Sequence, residues 1–178
     1  MPILVKVSNK ETSLNGEYQA VISQIYDVGL QPNNFGDNKD PIHKVIILWE
    51  LDHKFQGKDG REFRLTLTKE YSLNLGKRST LRKDLELLFG ENYFDDKDGI
   101  DIDLEKIRGV NCILTVEEKK GKDNKDYPNI IGIRPLPKET LKMKPELKDD
   151  FIPDWISKKM GVGYQNAFNP TGSDELPF

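Results

Sequence analysis

The chain has 178 residues, of which 36% are hydrophobic and 32% charged, and its formal net charge is −3. This length predicts one domain with a tail, and the negative charge excludes a uniformly basic nucleic-acid binder. No apolar run approaches the ~20 residues of a membrane helix. Because the N-terminus lacks a signal-peptide pattern and Cys112 is the single cysteine, a cytoplasmic protein without disulfides is expected.

The first half of the chain predicts three β-strands. Apolar residues alternate with polar ones, or form short apolar runs, over residues 17–26, 43–51 and 62–71. An Asn- and Gly-rich stretch at 29–40 predicts a long loop, and Gly-Lys-Asp-Gly at 57–60 predicts a hairpin.

The period then changes to that of a helix. Leu81, Leu85 and Leu88 recur at helical spacing between Ser79, a predicted N-cap, and Gly90, a predicted stop. A short helical turn is predicted at 104–107, strands at 110–117 and 128–134, and a charged loop at 119–125. No internal repeat is visible.

The order strand, strand, strand, helix, strand, strand predicts a mainly β fold. A five-stranded Greek-key barrel with its helix between strands 3 and 4, the OB-fold, has this order; a five-stranded sandwich is the alternative. The predicted domain covers residues 1–137. Residues 138–172 are predicted as a linker with a small apolar island at 151–156, and residues 173–178 as an acidic tip.

Charge is distributed unevenly along the chain. Residues 54–83 hold nine Lys or Arg against three Asp or Glu, whereas residues 84–106 hold two against nine. The contrast predicts two faces of opposite sign.

An OB barrel binds single strands over its second and third strands and nearby loops, where cations contact phosphates and aromatic rings stack on bases. Trp49 and Phe63 lie on apolar strand faces and are more readily explained as core, whereas Phe55 and Tyr71 lie near strand ends and are the better stacking candidates. The predicted DNA-binding residues are Lys44, Trp49, Lys54, Phe55, Lys58, Arg61, Arg64, Lys69, Tyr71, Arg78, Arg82, Lys83 and Tyr127.

The C-terminal tip combines two carboxylates with an apolar end. Its terminal α-carboxylate and its last aromatic ring belong to the same residue, so a partner protein could capture both with a basic group and an apolar pocket. The residues predicted to recruit a partner are Asp174, Glu175, Leu176, Pro177 and Phe178.

Enzymatic chemistry has little support in the sequence. There is no Walker loop, GxSxG, HExxH or plausibly spaced Cys/His pair. The acidic segment 94–99 imitates a calcium loop, but Phe94 stands where that loop begins with Asp. No catalytic activity, cofactor or metal is predicted.

Several stretches together resemble a phage single-stranded DNA-binding protein family of OB-fold type, over residues 11–138. They are Trp49-Glu50-Leu51, Leu81 to Glu86, Leu114-Thr115-Val116, Tyr127 to Ile130 and Pro135-Leu136-Pro137. The tip looks like the acidic, Phe-ended tail of bacterial and phage single-stranded DNA-binding proteins, although it has only two carboxylates and has Leu176 where Ile is usual. The resemblance implies an OB-fold, no catalysis, and docking of Asp174, Glu175, Pro177 and Phe178 on replication and repair proteins.

We therefore expect a protein that coats single-stranded DNA without sequence preference in phage DNA replication, recombination or repair, and that recruits partners through its tip. The alternative is an OB-fold adaptor or recombination mediator that does not coat DNA and whose interface is the apolar island. A metal-dependent nuclease is the least favoured interpretation. The sequence leaves open a monomer or dimer, and DNA or RNA as ligand.

Overall fold

The computed structural model describes residues 13–33, 36–37 and 39–168, and within them the chain forms five strands and two α-helices. The strands are β1 (Gly16–Gln31), β2 (Ile42–Gln56), β3 (Glu62–Ser72), β4 (Asn111–Lys120) and β5 (Asp126–Pro135). The helices are α1 (Thr80–Phe89), a 3-10 turn (Leu104–Ile107) and α2 (Asp154–Phe168). Neither α-helix, as far as the structure describes it, has both the length and the apolar character needed to cross a membrane.

The five strands form one antiparallel sheet in the order β3-β2-β1-β4-β5. β1 is central, and its register with β2 shifts between Ile22 and Gln24 and again between Asp27 and Gly29. Such irregularities bend a strand and increase its twist. The outer strands β3 and β5 contact each other, although no hydrogen-bonded ladder joins them in the described part of the chain. The sheet is therefore curled and open.

The inner face of the curled sheet packs against α1. This helix begins after Ser79, whose hydroxyl accepts a hydrogen bond from the Arg82 amide at 3.1 Å, and ends at Gly90. Its buried face consists of Leu81 and Leu85, as the helical spacing predicted. The strands contribute to this core Ala20, Ile22, Val45, Ile47, Trp49, Leu51, Leu67, Tyr71, Cys112, Leu114, Val116 and Ile133.

Cys112 lies in the middle of this core. Burial raises the pKa of its thiol to about 12, so the sulfur stays protonated at neutral pH. A buried, protonated thiol of this kind is unreactive in the folded protein.

The outer face of β1 and β2 is also apolar, and the C-terminal part of the chain covers it. Ile156 on α2 is fully buried in a second cluster with Val28, Ile46 and Leu48. The run 45–49 in β2 is consequently buried on both faces, which accounts for its unbroken apolar sequence.

Residues 141–153, called the strap below, cross this outer face before α2 begins. Their backbone is hydrogen-bonded to side chains of the sheet. The Glu50 carboxylate accepts hydrogen bonds from the amides of Glu146 at 3.0 Å and Leu147 at 3.3 Å. Asn111 donates to the carbonyl oxygen of Met143 at 2.9 Å and accepts from its amide at 2.8 Å. Buried sheet side chains thus satisfy the backbone of a segment that has no secondary structure of its own.

The structure differs here from the linker expected at 138–172. The island at 151–156 is divided, because Ile156 is buried while Phe151 and Ile152 remain exposed. The predicted loop at 29–40 is also shorter, because β1 continues to Gln31, whose side chain donates to the Lys159 carbonyl oxygen at 2.9 Å. Both differences arise from contacts between residues distant in sequence, namely those of Ile156 with the sheet and of Gln31 with α2.

Candidate nucleic-acid interface

Two β-hairpins turn at the same end of the sheet. β1 begins at Gly16, which pairs with Val116 near the end of β4, and Ala20 pairs with Leu51 in the second half of β2. The turn between β2 and β3 and the turn between β4 and β5 therefore lie side by side. We call residues 57–63 and 121–127 the two hairpin tips.

The two tips match in sequence and in hydrogen bonding. Residues 57–63 read GKDGREF and residues 121–127 read GKDNKDY. In each tip the first glycine amide donates to the carbonyl oxygen four residues later, at 2.8 Å in both cases. The aspartate accepts from the amide two residues later, at 3.1 Å in both.

Each tip also places an aromatic ring on its first glycine. A Cβ added to Gly57 would lie 2.6 Å from the Phe63 ring, and one added to Gly121 would lie 2.7 Å from the Tyr127 ring. Only glycine accommodates that approach. The rings are fixed against backbone, yet Phe63 and Tyr127 remain 44% and 47% exposed.

The turn conformation explains why the fourth residue of each tip is Gly or Asn. Gly60 has a φ of 79°, and Asn124 has a φ of 62°. Asparagine is among the residues that tolerate this left-handed region, so both tips can adopt the same turn. In the second tip the Asp123 carboxylate accepts a hydrogen bond from the Tyr127 hydroxyl, which lowers the pKa of Asp123 and raises that of Tyr127.

A groove of about 760 Å³ lies between residues 124–126 of the second tip and the parts of β2 and β3 next to the first tip, and we call it the groove between the tips. Phe55 lines its β2 side, and its ring lies 6.0 Å from that of Phe63. The groove is lined by Ser13, Leu14, His53, Phe55, Leu65, Glu118, Asn124, Lys125 and Asp126. It is open, mixed in polarity and bordered by exposed rings.

Exposed cations lie in and next to the two tips. Lys58 and Lys122 occupy equivalent positions in the two tips, and neither forms an ion pair within the described part of the chain. Arg61 lies 3.3 Å from Asp59 and Lys54 lies 3.8 Å from Glu62, but both pairs are exposed. Exposed pairs hold their partners weakly, so these cations remain available to a phosphate.

The predicted DNA-binding residues do not form one surface. Lys54, Phe55, Lys58, Arg61 and Tyr127 lie at the hairpin end. Arg78 and Lys83 are exposed near the start of α1, at the other end of β3. The two groups are separated by the length of β3, on the order of 35 Å at ~3.3 Å per residue.

Two of the predicted aromatic platforms are core residues. Trp49 is 1% exposed and Tyr71 is 2% exposed, both on the inner face of the sheet. The Tyr71 hydroxyl donates to Asp84 on α1 at 2.7 Å, and burial together with Asp84 raises the pKa of Tyr71. Neither ring can stack on a base in this fold. The prediction failed for Tyr71 because the strand end on which it lies is covered by α1.

Four predicted cations are engaged in internal ion pairs. Lys44 lies 2.8 Å from Glu70, and Lys69 lies 2.6 Å from Asp84. Arg82 pairs with Glu86 at 2.7 Å. Arg64 lies beneath the strap, where it contacts Glu146 at 3.0 Å and the Lys144 carbonyl oxygen at 2.6 Å. These side chains hold elements of the fold together.

Sequence reasoning missed the equivalence of the two tips. The seven-residue match lies in the printed sequence but is too short to stand out as a repeat. Lys119, Lys120, Lys122 and Lys125 belonged to the predicted charged loop but were not among the predicted DNA-binding residues. The residues predicted to recruit a partner, Asp174 to Phe178, lie outside the described part of the chain.

Comparison of the chain with protein-family models and with curated protein sequences finds no match.

Proposed function

We propose that the protein is a non-enzymatic, sequence-tolerant single-stranded DNA-binding protein in which the strand passes between the two hairpin tips. The observation that carries the proposal is the pair of matched tips at one end of the sheet. Each has an exposed lysine at its apex and an exposed ring fixed on a glycine. Sequence-tolerant binding of single strands requires this combination of cations for phosphates and rings for bases.

An OB-fold is the architecture that best fits this proposal. The sheet order β3-β2-β1-β4-β5, with α1 following β3, is compatible with a five-stranded Greek-key barrel in which β3 and β5 approach each other. This step is an argument from fold analogy. Under the same proposal the C-terminal segment, Asp174 to Phe178, recruits replication or recombination proteins of a phage-infected cell.

The test is the affinity for labelled oligothymidine over a series of salt concentrations. Log affinity should fall linearly with log salt, because each phosphate that the protein neutralises releases counterions. The double variant Lys58→Ala/Lys122→Ala should reduce that slope by about 0.7 for each phosphate that is no longer neutralised. The matched control Lys106→Ala/Lys138→Ala removes two exposed lysines at the opposite end of the sheet and should leave the slope unchanged. Absence of binding at low salt would refute the proposal.

Deletion of Leu176 to Phe178 separates strand binding from recruitment. Strand affinity should stay the same, because the deletion leaves Asp174, Glu175 and the net charge unchanged. Capture of host proteins from an extract should be abolished, because the apolar end is lost. A large drop in DNA affinity on this deletion would contradict the division of roles.

A second candidate function is a protein–protein adaptor. The observation that favours it is the exposure of three neighbouring apolar side chains, Phe151, Ile152 and Trp155. An adaptor would show no salt-dependent affinity for single strands, so the same titration distinguishes the two functions.

A further inference from the structure

A second groove, of about 490 Å³, lies between β3 and the strap. Its β3 wall includes Arg61, Phe63 and Thr66, and its strap wall includes Lys148 and Phe151. The groove is distinct from the one between the tips. Its strap wall belongs to residues 138–172, which the sequence predicted to be a linker.

The strap wall is anchored through its backbone. The Tyr26 hydroxyl donates to the Phe151 carbonyl oxygen, and the Gln24 amide donates to the Lys148 carbonyl oxygen at 2.8 Å. Both donors are on β1 and are buried. Burial also raises the pKa of Tyr26 to about 12, which keeps this donor protonated at neutral pH. The Phe151 ring is therefore positioned by the sheet while remaining 40% exposed.

The charges of this groove favour a base over a phosphate. Arg64 is occupied by Glu146 and by the buried carboxylate of Glu50. Glu62 faces Lys54, and Asp150 adds an exposed negative charge. Arg61 and Lys148 are exposed, and the groove lining as a whole holds four carboxylates against three cations. An uncharged planar group fits such a groove better than an anion.

The two grooves share no lining residue, but one pair of rings lies between them. Phe55 lines the groove between the tips, Phe63 lines the groove under the strap, and the two rings lie 6.0 Å apart. Because Phe63 belongs to the first tip and lines the same groove as Phe151, a strand that crosses Phe63 comes next to the Phe151 ring.

We infer that the strap is one wall of the nucleic-acid site, and that Phe151 stacks on a base of the same strand that the tips hold. Lys148 contacts a flanking phosphate at the edge of the groove. This inference rests on the proposed function and extends it, because the segment predicted as linker then provides binding residues. Short oligonucleotides that span only the tips do not reach Phe151, whereas longer ones do.

The test compares Phe151→Ala with Ile152→Ala, its exposed neighbour that does not line the groove. Affinity is measured for oligothymidines of increasing length. Phe151→Ala should lower the affinity for long oligonucleotides about tenfold, as expected when one base no longer stacks on a ring, and leave that for short ones unchanged. Ile152→Ala should match the parent protein at every length, and Phe151→Trp should restore long-strand affinity.

A second variant avoids any change of packing. Lys148→Glu reverses an exposed charge at the groove edge, and Lys158→Glu makes the same change on α2 away from the groove. Only Lys148→Glu should weaken binding of long oligonucleotides.

Parent-like affinity of Phe151→Ala and Lys148→Glu for long strands would overturn the inference while leaving the tips as the site. An equal reduction in Ile152→Ala or Lys158→Glu would also overturn it, because the groove would then have no special role. Failure of the parent protein to bind any oligothymidine would instead refute the proposed function.

Discussion

Two regions of the same sheet carry apolar side chains, which are buried in one region and exposed in the other. On the outer face of β1 and β2, Val28, Ile46 and Leu48 are buried beneath Ile156. At the hairpin end, the rings of Phe63 and Tyr127 are fixed on glycines and stay exposed. The first region is closed by the C-terminal segment of the chain. The second is fixed without being closed, as the proposed function requires of rings that stack on bases.

The largest expected effect comes from a substitution in the buried region beneath α2. Ile156→Ala should lower the free energy of unfolding by about 3 kcal/mol, because it removes a fully buried side chain that joins α2 to the sheet. Its affinity for short oligothymidine should not change, since the tips are elsewhere. Urea denaturation and a binding titration measure the two quantities.

Ile152→Ala is the matched control for this variant, because it shortens an exposed side chain of the same segment. It should change stability by less than about 0.5 kcal/mol. A cost of a similarly small size for Ile156→Ala would mean that the strap and α2 are not part of the folded core.

An intermediate effect concerns the open region. Phe63→Ala and Tyr127→Ala should each lower strand affinity by about 1–3 kcal/mol, the range expected for one stacked base. Because the tips match, the two reductions should be of similar size. Tyr127→Phe, which keeps the ring but removes the hydroxyl, should retain most of the affinity. An effect confined to one tip would show that the two hairpins are not equivalent.

The smallest expected effect concerns an ion pair at the edge of the buried region, where Glu70 contacts Lys159 on α2. Burial opposes ionisation of Glu70, but hydrogen bonds from Lys159 on α2 and Lys44 on β2 outweigh it and hold the pKa of Glu70 below the usual 4.5. A carboxylate with a lowered pKa stabilises the fold above its unfolded-state pKa. This stabilisation is lost as the pH falls through the folded-state value.

Glu70→Gln should therefore cost about 1–2 kcal/mol at neutral pH and reduce the loss of stability below pH 4.5. Unfolding free energies measured from neutral to acidic pH test this. Glu91→Gln, at an exposed position after α1, is the control. If Glu70→Gln and the parent protein became less stable in parallel on acidification, Glu70 would not link α2 to the sheet.

Much of the fold was predictable because it depends on neighbours in sequence. Alternation located the strands, and Ser79, Leu81, Leu85 and Gly90 located α1 with both of its ends. The hairpin at 57–60 followed from its glycines. The structure extends most strands by a few residues, and β1 and β2 most. The added end of β1 is covered by α2.

The site was only partly predictable. Cations and the Phe55 ring of the β2–β3 hairpin were predicted, but Phe63 was assigned to the core although it is 44% exposed. The same pattern also included Tyr71 and Arg64. Alternation assigns residues to two faces of a strand without showing what covers either face. α1 covers Tyr71 and the strap covers Arg64, and each cover comes from a part of the chain distant in sequence.

By itself, the sequence determined where strands, turns and α1 form, since these depend on side-chain period, capping and glycine conformation within a few residues. Only the tertiary structure decided that residues 141–168 fold onto the sheet. The strap backbone at residues 143–148 is hydrogen-bonded to Glu50, Asn111 and Gln24, which lie tens of residues away. The tertiary structure also placed the two tips side by side, because both flank the start of β1. Short matching segments form one surface only when strand pairing brings them to the same end.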